Sequence, residues 1–348
     1  PSVDVWNGSF GRGVNQVVNH QQVSDSDVNV RSAIAGATTN KILYFKSNGN
    51  DGRTTGADGN MESIASVYVI NAIAALTTSN EVINYSTPGS NVALSGYAHK
   101  GSALGTCTTY KGGDNYTCAM NGTSSASPTV AGSAAVIMEA LKKSIQSPNW
   151  TDLLYIMIRT ANQNITDRSA KYSGSIGSQA KVAKLNTGFI HLEHSFDHGF
   201  GVPDIAAAIE FAELYTEDMK IPNPESIEET EESSKSIPSG GCSEQSINFN
   251  EDFQIWSAQV SVKTTGLNKS NMGIFLEAPN GKIMMVKNNG ESASSSNMGY
   301  SQRFNVRAPM GLNANGEWKV KVCSSSGSGT YSGAKVKLYG FNDLNTLK

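Results

Sequence analysis

The sequence predicts an α/β domain, a parallel sheet with helices on both faces, followed by an all-β sandwich. Three observations point there. Up to about residue 221, short apolar and β-branched runs alternate with segments of helical period, the pattern of a helix-covered parallel sheet. Between 222 and 241 the chain carries three prolines and five glutamates and loses its apolar periodicity, which reads as a solvated acidic linker. From 242 to 348 only short strands bounded by Gly, Asn or Pro remain, the signature of a sandwich. The expected units are therefore 1–221, 222–241 and 242–348.

In chain order, residues 41–45 form a short apolar run before a Gly/Asn loop, hence a buried strand. Residues 63–76 open with β-branched and apolar residues and read as a second strand. Ala126, Val130, Ala134, Ile137 and Leu141 recur every three to four positions, so 124–143 is a helix. Residues 151–160 begin with Thr151 as N-cap and Asp152 in the first turn, and 203–214 begin with Pro203; both predict helices. In the sandwich, strands are expected at 255–262, 273–277, 283–286, 318–323 and 334–339. Lysines alternate with apolar residues in 318–322 and 335–338, giving strands with one wet face.

Composition limits the function. At 348 residues the chain has room for two or three domains by length alone. Its formal net charge is only −3, which argues against nucleic acid as the main partner, since phosphate binding needs a basic face. No apolar run reaches the 18 or so residues of a membrane span. The chain starts at Pro1 with neither Met nor signal peptide, so a preceding segment is expected. The four cysteines, Cys107, Cys118, Cys242 and Cys323, are too widely spaced for a CxxC site. Two disulfides in an oxidising compartment are expected. A Cys107–Cys118 bond would hold the loop leading to residue 121. A Cys242–Cys323 bond would staple either the two sheets of the sandwich or its edge.

The strongest chemical signal is Asn121-Gly122-Thr123-Ser124-Ser125-Ala126-Ser127-Pro128-Thr129-Val130-Ala131-Gly132. Gly122 lets a loop turn sharply into a small-residue helix. Ser124 then sits where free N–H groups and the helix dipole favour a developing oxyanion. Ser125 and Ser127 are expected to be bystanders. A plain Ser N-cap would share the short Gly-Thr-Ser triplet, but not the whole string.

That string resembles the active-site serine segment of the subtilases, the subtilisin-like serine peptidases. Val5-Trp6-Asn7-Gly8-Ser9-Phe10-Gly11 is similar to the family's strand and turn along the substrate cleft, which implies substrate contacts at Ser9, Phe10 and Gly11. Lys46-Ser47-Asn48-Gly49-Asn50-Asp51-Gly52 resembles the oxyanion loop. The likeness makes Asn50 the oxyanion donor and Ser47, Asn48 and Gly49 a cleft wall. Trp150-Thr151-Asp152-Leu153 and Asp197-His198-Gly199-Phe200-Gly201-Val202-Pro203-Asp204 are similar to the kexin/furin-like branch. So is the sandwich: Gly273-Ile274-Phe275-Leu276-Glu277-Ala278-Pro279-Asn280-Gly281, Asn315-Gly316-Glu317-Trp318 and Leu338-Tyr339-Gly340 look like a P domain, the jelly roll that follows the protease domain in convertases.

The likeness implies an Asp–His–Ser triad, yet none of His20, His99, His191, His194 and His198 stands in an H-G-T context. The triad Asp and His are expected on a segment upstream of Pro1. Asp58, in Asp58-Gly59-Asn60, resembles the acid at the base of a pocket for a basic P1 residue, the residue on the acyl side of the scissile bond. A turn role for Asp58 is the competing reading. Residues 11–15 lack the acidic pair that convertases carry there, which weakens strict dibasic specificity. The branch also implies structural calcium, to which Asp51 and Asp58 could contribute, although without a D-x-D-x-D-G loop its ligands are not assignable from sequence, and a propeptide or chaperone as partner. No His/Cys cluster suggests zinc. The function expected is a secreted serine endopeptidase, this chain alone being inactive. The alternative is a protease-like remnant that binds a partner through its P domain.

Overall fold

In a computed structural model the described residues are 3–11, 42–52, 57–62, 64–99, 106–113, 115–167, 185–186, 192–289 and 297–347. His20, His191 and the 12–15 stretch lie outside them.

Four parallel strands form the first sheet in sequential order: β1 (Val5–Gly8), β2 (Leu43–Ser47), β3 (Ile70–Leu76) and β4 (Val92–Tyr97). β2 and β3 are buried along their whole length, which is why they read as apolar runs without alternation. The predicted strand at 63–76 begins only at Ile70. Its apolar residues Ile64, Val67 and Val69 are buried, but in turns.

Helix α1 (Thr123–Ser144) matches its predicted period and buries Ala126, Val130, Ala134, Ile137 and Leu141. Helix α2 (Trp150–Arg159) starts one residue before the expected position. Asn149 and not Thr151 is its N-cap, closing a capping box with Asp152. Helix α3 (Ile205–Glu213) is capped by Asp204, whose Oδ1 accepts the Ala207 N–H. The three helices share one core with β2 and β3.

Two short hairpins follow the sheet: β5 (Thr106–Tyr110) with β6 (Asn115–Met120), and β7 (Leu185–Asn186) with β8 (Glu193–His194). The Cys107–Cys118 disulfide ties the first of them.

The acidic stretch differs from expectation. Within 222–241, residues form β9 (Glu225–Glu231) and β10 (Lys235–Ile237), both paired antiparallel to the last strand. It is an edge of the sandwich and not an irregular linker. Backbone pairing to the neighbouring strand holds it, while most of its side chains remain in water. An edge strand lined with charge is protected against pairing with other chains.

The sandwich adds β11 (Cys242–Phe249), β12 (Gln254–Thr265), β13 (Met272–Glu277), β14 (Ile283–Lys287), β15 (Phe304–Val306), β16 (Gly316–Ser324) and β17 (Gly329–Phe341). One sheet runs β10-β17-β12-β15, with β9 also on β17; the other runs β11-β16-β13-β14. Every pairing is antiparallel. Cys242 and Cys323 are cross-strand partners within the second sheet and are bonded. Of the two expected alternatives, this disulfide staples the edge.

The two halves share an interior. Trp256 meets Trp150 edge-on at 5.9 Å, and Tyr339 stacks on Tyr68 at 3.7 Å. Arg307, fully buried, donates to the carbonyls of Tyr68 (2.8 Å) and Ile70 (2.9 Å) and to Asn71 Oδ1 (3.1 Å). Loss of hydration pulls its guanidinium down to about 10.

Candidate active site

Parallel strands place ligand clefts beyond their carboxyl ends. Here β1 runs into Ser9–Phe10–Gly11 and β2 into Asn48–Gly49–Asn50, and the N-terminus of α1 points at the gap between them. The cleft has a volume of about 410 Å³. Ser9, Phe10, Gly11, Ser47, Asn48, Gly49, Asn50, Asp58 and Ser124, every cleft residue that the sequence singled out, line it together.

Gly122 sets up the helix start. Its φ of 85° suits glycine, and an added Cβ would come within 3.0 Å of the Asn50 amide. Its N–H donates to Tyr85 Oη at 3.0 Å. Asn50 is then oriented by Thr123. The Thr123 backbone N–H donates to Asn50 Oδ1 at 2.8 Å and the Thr123 hydroxyl donates to the same oxygen at 3.0 Å. A backbone N–H can only donate, so the amide oxygen faces the helix and the NH2 is the group left over. Among the described residues that NH2 has no hydrogen-bond partner. Gly49 N–H in turn donates to Thr123 Oγ1 at 3.2 Å.

Ser124 is half-buried in the cleft. Its Oγ donates to the Ser9 carbonyl at 3.3 Å, and Ser9 Oγ donates back to the Ser124 carbonyl at 3.0 Å. Its two neighbours are interior: Ser125 Oγ donates to Thr106 Oγ1 at 2.6 Å, and Ser127 Oγ to Asn7 Oδ1. This difference in surroundings separates the three serines more sharply than sequence does.

Asn48 is a packed wall. Its Nδ2 donates to the Thr87 carbonyl at 2.8 Å and its Oδ1 accepts from Asn91 at 2.9 Å. Gly59 packs so close that a Cβ there would overlap the Asn48 amide. Asp58 is buried at the cleft floor and caps a single 3-10 turn, Gly59–Met61. Its Oδ1 accepts the Asn60 N–H at 2.9 Å, and its Oδ2 accepts the Asn288 N–H of the sandwich at 3.2 Å. Thus it holds the floor turn and faces the cleft at once. Met61 at the end of that turn is part of the sandwich core.

Among the described residues no imidazole is bonded to Ser124. His194 lies apart, its Nε2 against the Val92 carbonyl at 2.8 Å, and burial pulls its pKa down to about 3. His198 is buried beside Asp167, 3.2 Å from its carboxylate. Among the described residues no group of three or more acids, histidines or cysteines comes together.

Sequence reasoning missed Thr123, Tyr85 and the pair Lys46–Glu62. Thr123 stood next to the singled-out serine, and Lys46 was visible as a charge at the end of an apolar strand.

The profile of the subtilase family matches residues 2–191. The chain belongs to the subtilase family. The proprotein convertase P-domain matches residues 255–337 of this subtilase. Its fold is similar to that of a serine protease of Aeromonas sobria solved with its chaperone, at a TM-score of 0.79 and 17% identity, over 98% of this chain and 71% of that one. The same Aeromonas protease without its chaperone gives 0.76 at 17% identity, over 97% and 71%. No curated protein matches the chain in sequence. No helix among the described residues is long and apolar enough to cross a membrane.

Proposed function

We propose that this subtilase is part of a secreted, kexin-like serine endopeptidase in which Ser124 is the nucleophile. The observation that carries the reading is the Thr123–Asn50 contact, which commits the amide oxygen of Asn50 and leaves its NH2 over in the cleft that Ser124 also lines. Ser124 Oγ attacks the scissile carbonyl and gives its proton to an imidazole. The oxyanion is held by Asn50 Nδ2 and the Ser124 N–H. Collapse expels the amine with that proton, and water then releases the acyl group from Ser124. The imidazole and its orienting carboxylate come, on this reading, from part of the protein outside these 348 residues, so the chain by itself does not turn over. The two disulfides support an oxidising, extracellular location.

A preference for basic P1 residues is supported by Asp58 at the cleft floor. Peptides and unfolded proteins are the substrates. A chaperone or propeptide belongs to this reading as well; the Aeromonas protease was solved with its chaperone. Hydrolysis of casein by protein expressed from the complete gene, abolished by Ser124→Ala, is the expected result. Equal hydrolysis by wild type and Ser124→Ala would remove Ser124 from the mechanism. No hydrolysis by either, from folded protein, would favour a binding module acting through the P domain.

A further inference from the structure

Lys46 is out of place in its strand. β2 is buried throughout, and an ammonium there must leave water, which is costly unless it is paired and hydrogen-bonded. The Lys46 side chain is 3% exposed and meets Glu62 Oε2 at 3.3 Å. Its Nζ also donates to the carbonyls of Phe10 (2.8 Å) and Ser47 (3.3 Å). These partners are parts of the cleft itself. Phe10 belongs to one wall, Ser47 to the other, and Glu62 follows the floor turn. Glu62 is fixed from behind, its Oε2 accepting the Ala65 N–H at 2.8 Å. Gly11 keeps the space open, for a Cβ there would stand 3.0 Å from the ammonium.

We infer that Lys46 is a specificity-determining residue of the cleft, an internal counter-ion that occupies Glu62 and weakens the pull of the cleft on cationic substrate side chains. The inference rests on the cleft being the substrate site, as proposed above. Among the described residues, the other acids lining the cleft are Asp51 and Asp58. Asp58 has an N–H donor on each oxygen. Glu62 has the Lys46 ammonium against it. A Lys or Arg side chain entering the cleft therefore meets one neutralised carboxylate at Glu62. Without the Lys46 ammonium, the same carboxylate stands unpaired and attracts that side chain.

The test uses protein expressed from the complete gene and carrying Ser124→Ala, so that binding is read without turnover. The probes are acetylated tetrapeptides identical except for a C-terminal Lys, Met or Glu, titrated calorimetrically. Lys46→Met should raise the Lys-over-Met affinity ratio about tenfold, the size of one partly buried charge contact. Glu62→Gln should lower that ratio and improve the Glu peptide. The double variant should return the ratio to that of the parent. A folded Lys46→Met with an unchanged ratio overturns the inference, as does a double variant that keeps the Lys46→Met ratio. If Lys46→Met does not fold, unchanged ratios in Glu62→Gln overturn it instead. Absence of binding by all three peptides overturns it too. Failure of wild-type Ser124 to react with a fluorophosphonate would sink the peptidase reading while leaving the peptide ratios to judge Lys46.

Discussion

Two glycines of α1 and its cap, ten positions apart, should respond to alanine with opposite signs. Gly122 has φ 85° and ψ 170°, a region almost closed to residues with a Cβ, which costs on the order of 1–3 kcal/mol to occupy. The new Cβ also lies 3.0 Å from Asn50 Nδ2 and 3.3 Å from Oδ1. Asn50 must yield, and one of its contacts to Thr123 goes with it, at about 1 kcal/mol. Gly122→Ala should therefore lose about 2–4 kcal/mol. Gly132 is different. It lies inside the helix and an added Cβ meets nothing within 4 Å. Gly132→Ala should gain roughly 0.5–1 kcal/mol from helix propensity. Urea unfolding of both variants against wild type is the assay. In addition, Gly122→Ala should slow fluorophosphonate labelling of Ser124, because Asn50 has moved. A Gly122→Ala protein as stable as wild type, or a Gly132→Ala protein equally damaged, would refute the account of how the helix start positions Asn50.

The remaining predictions concern catalysis, pH and the interior shared by the two domains. Asn50→Ala should lower kcat by about 10²–10³ with little change in KM, measured on the same peptide substrate as wild type. His194, with its pKa near 3 in the fold, stays neutral there while the unfolded chain takes up a proton below about 6.5. Its contribution is complete above that pH and is lost as pH falls, at roughly 1.4 kcal/mol per unit; His194→Gln should flatten the acid limb of a stability–pH curve between 6.5 and 4. Asn60 donates to Ser90 Oγ and the Asn305 carbonyl and accepts the Asn305 N–H. Asn60→Ala strands these buried groups and should cost about 2–3 kcal/mol in urea unfolding; an unchanged midpoint would contradict the bridging role. Cys107→Ser/Cys118→Ser opens an 11-residue loop, worth up to about 3 kcal/mol by chain entropy. Because Thr106 of that hairpin touches Ser125, labelling of Ser124 should slow as well.

Much of this was legible in the sequence because the signals were local. The small-residue period of α1 and the glycine before it can be read from adjacent residues, and the helix falls within one residue of its predicted bounds at each end. The cleft loops were legible through their likeness to the subtilase segments. The misreadings came from long-range pairing. β9 carries acids on both faces, so no alternation marks it; only its backbone register against β17, with contacts such as Glu228–Lys335, makes it a strand. Residues 64–69 look like a strand because they are apolar, yet their burial is achieved in turns. Lys46 reads as the start of the loop after the strand, whereas the strand runs on to Ser47 and Glu62 and the Phe10 carbonyl, far away in sequence, make its burial tolerable. Asp58 illustrates the same limit. Its role in the turn was readable from Asp-Gly, but its tie to Asn288, 230 residues away, was not.

The central claim is that Ser124 is a nucleophile activated by an imidazole from outside these 348 residues. The most direct measurement is fluorophosphonate labelling with peptide mapping, on this chain and on the protein expressed from its complete gene. The account predicts a label on Ser124 in the complete protein and little or none in the chain alone. No label in the folded complete protein, or a label on a different serine, would contradict it.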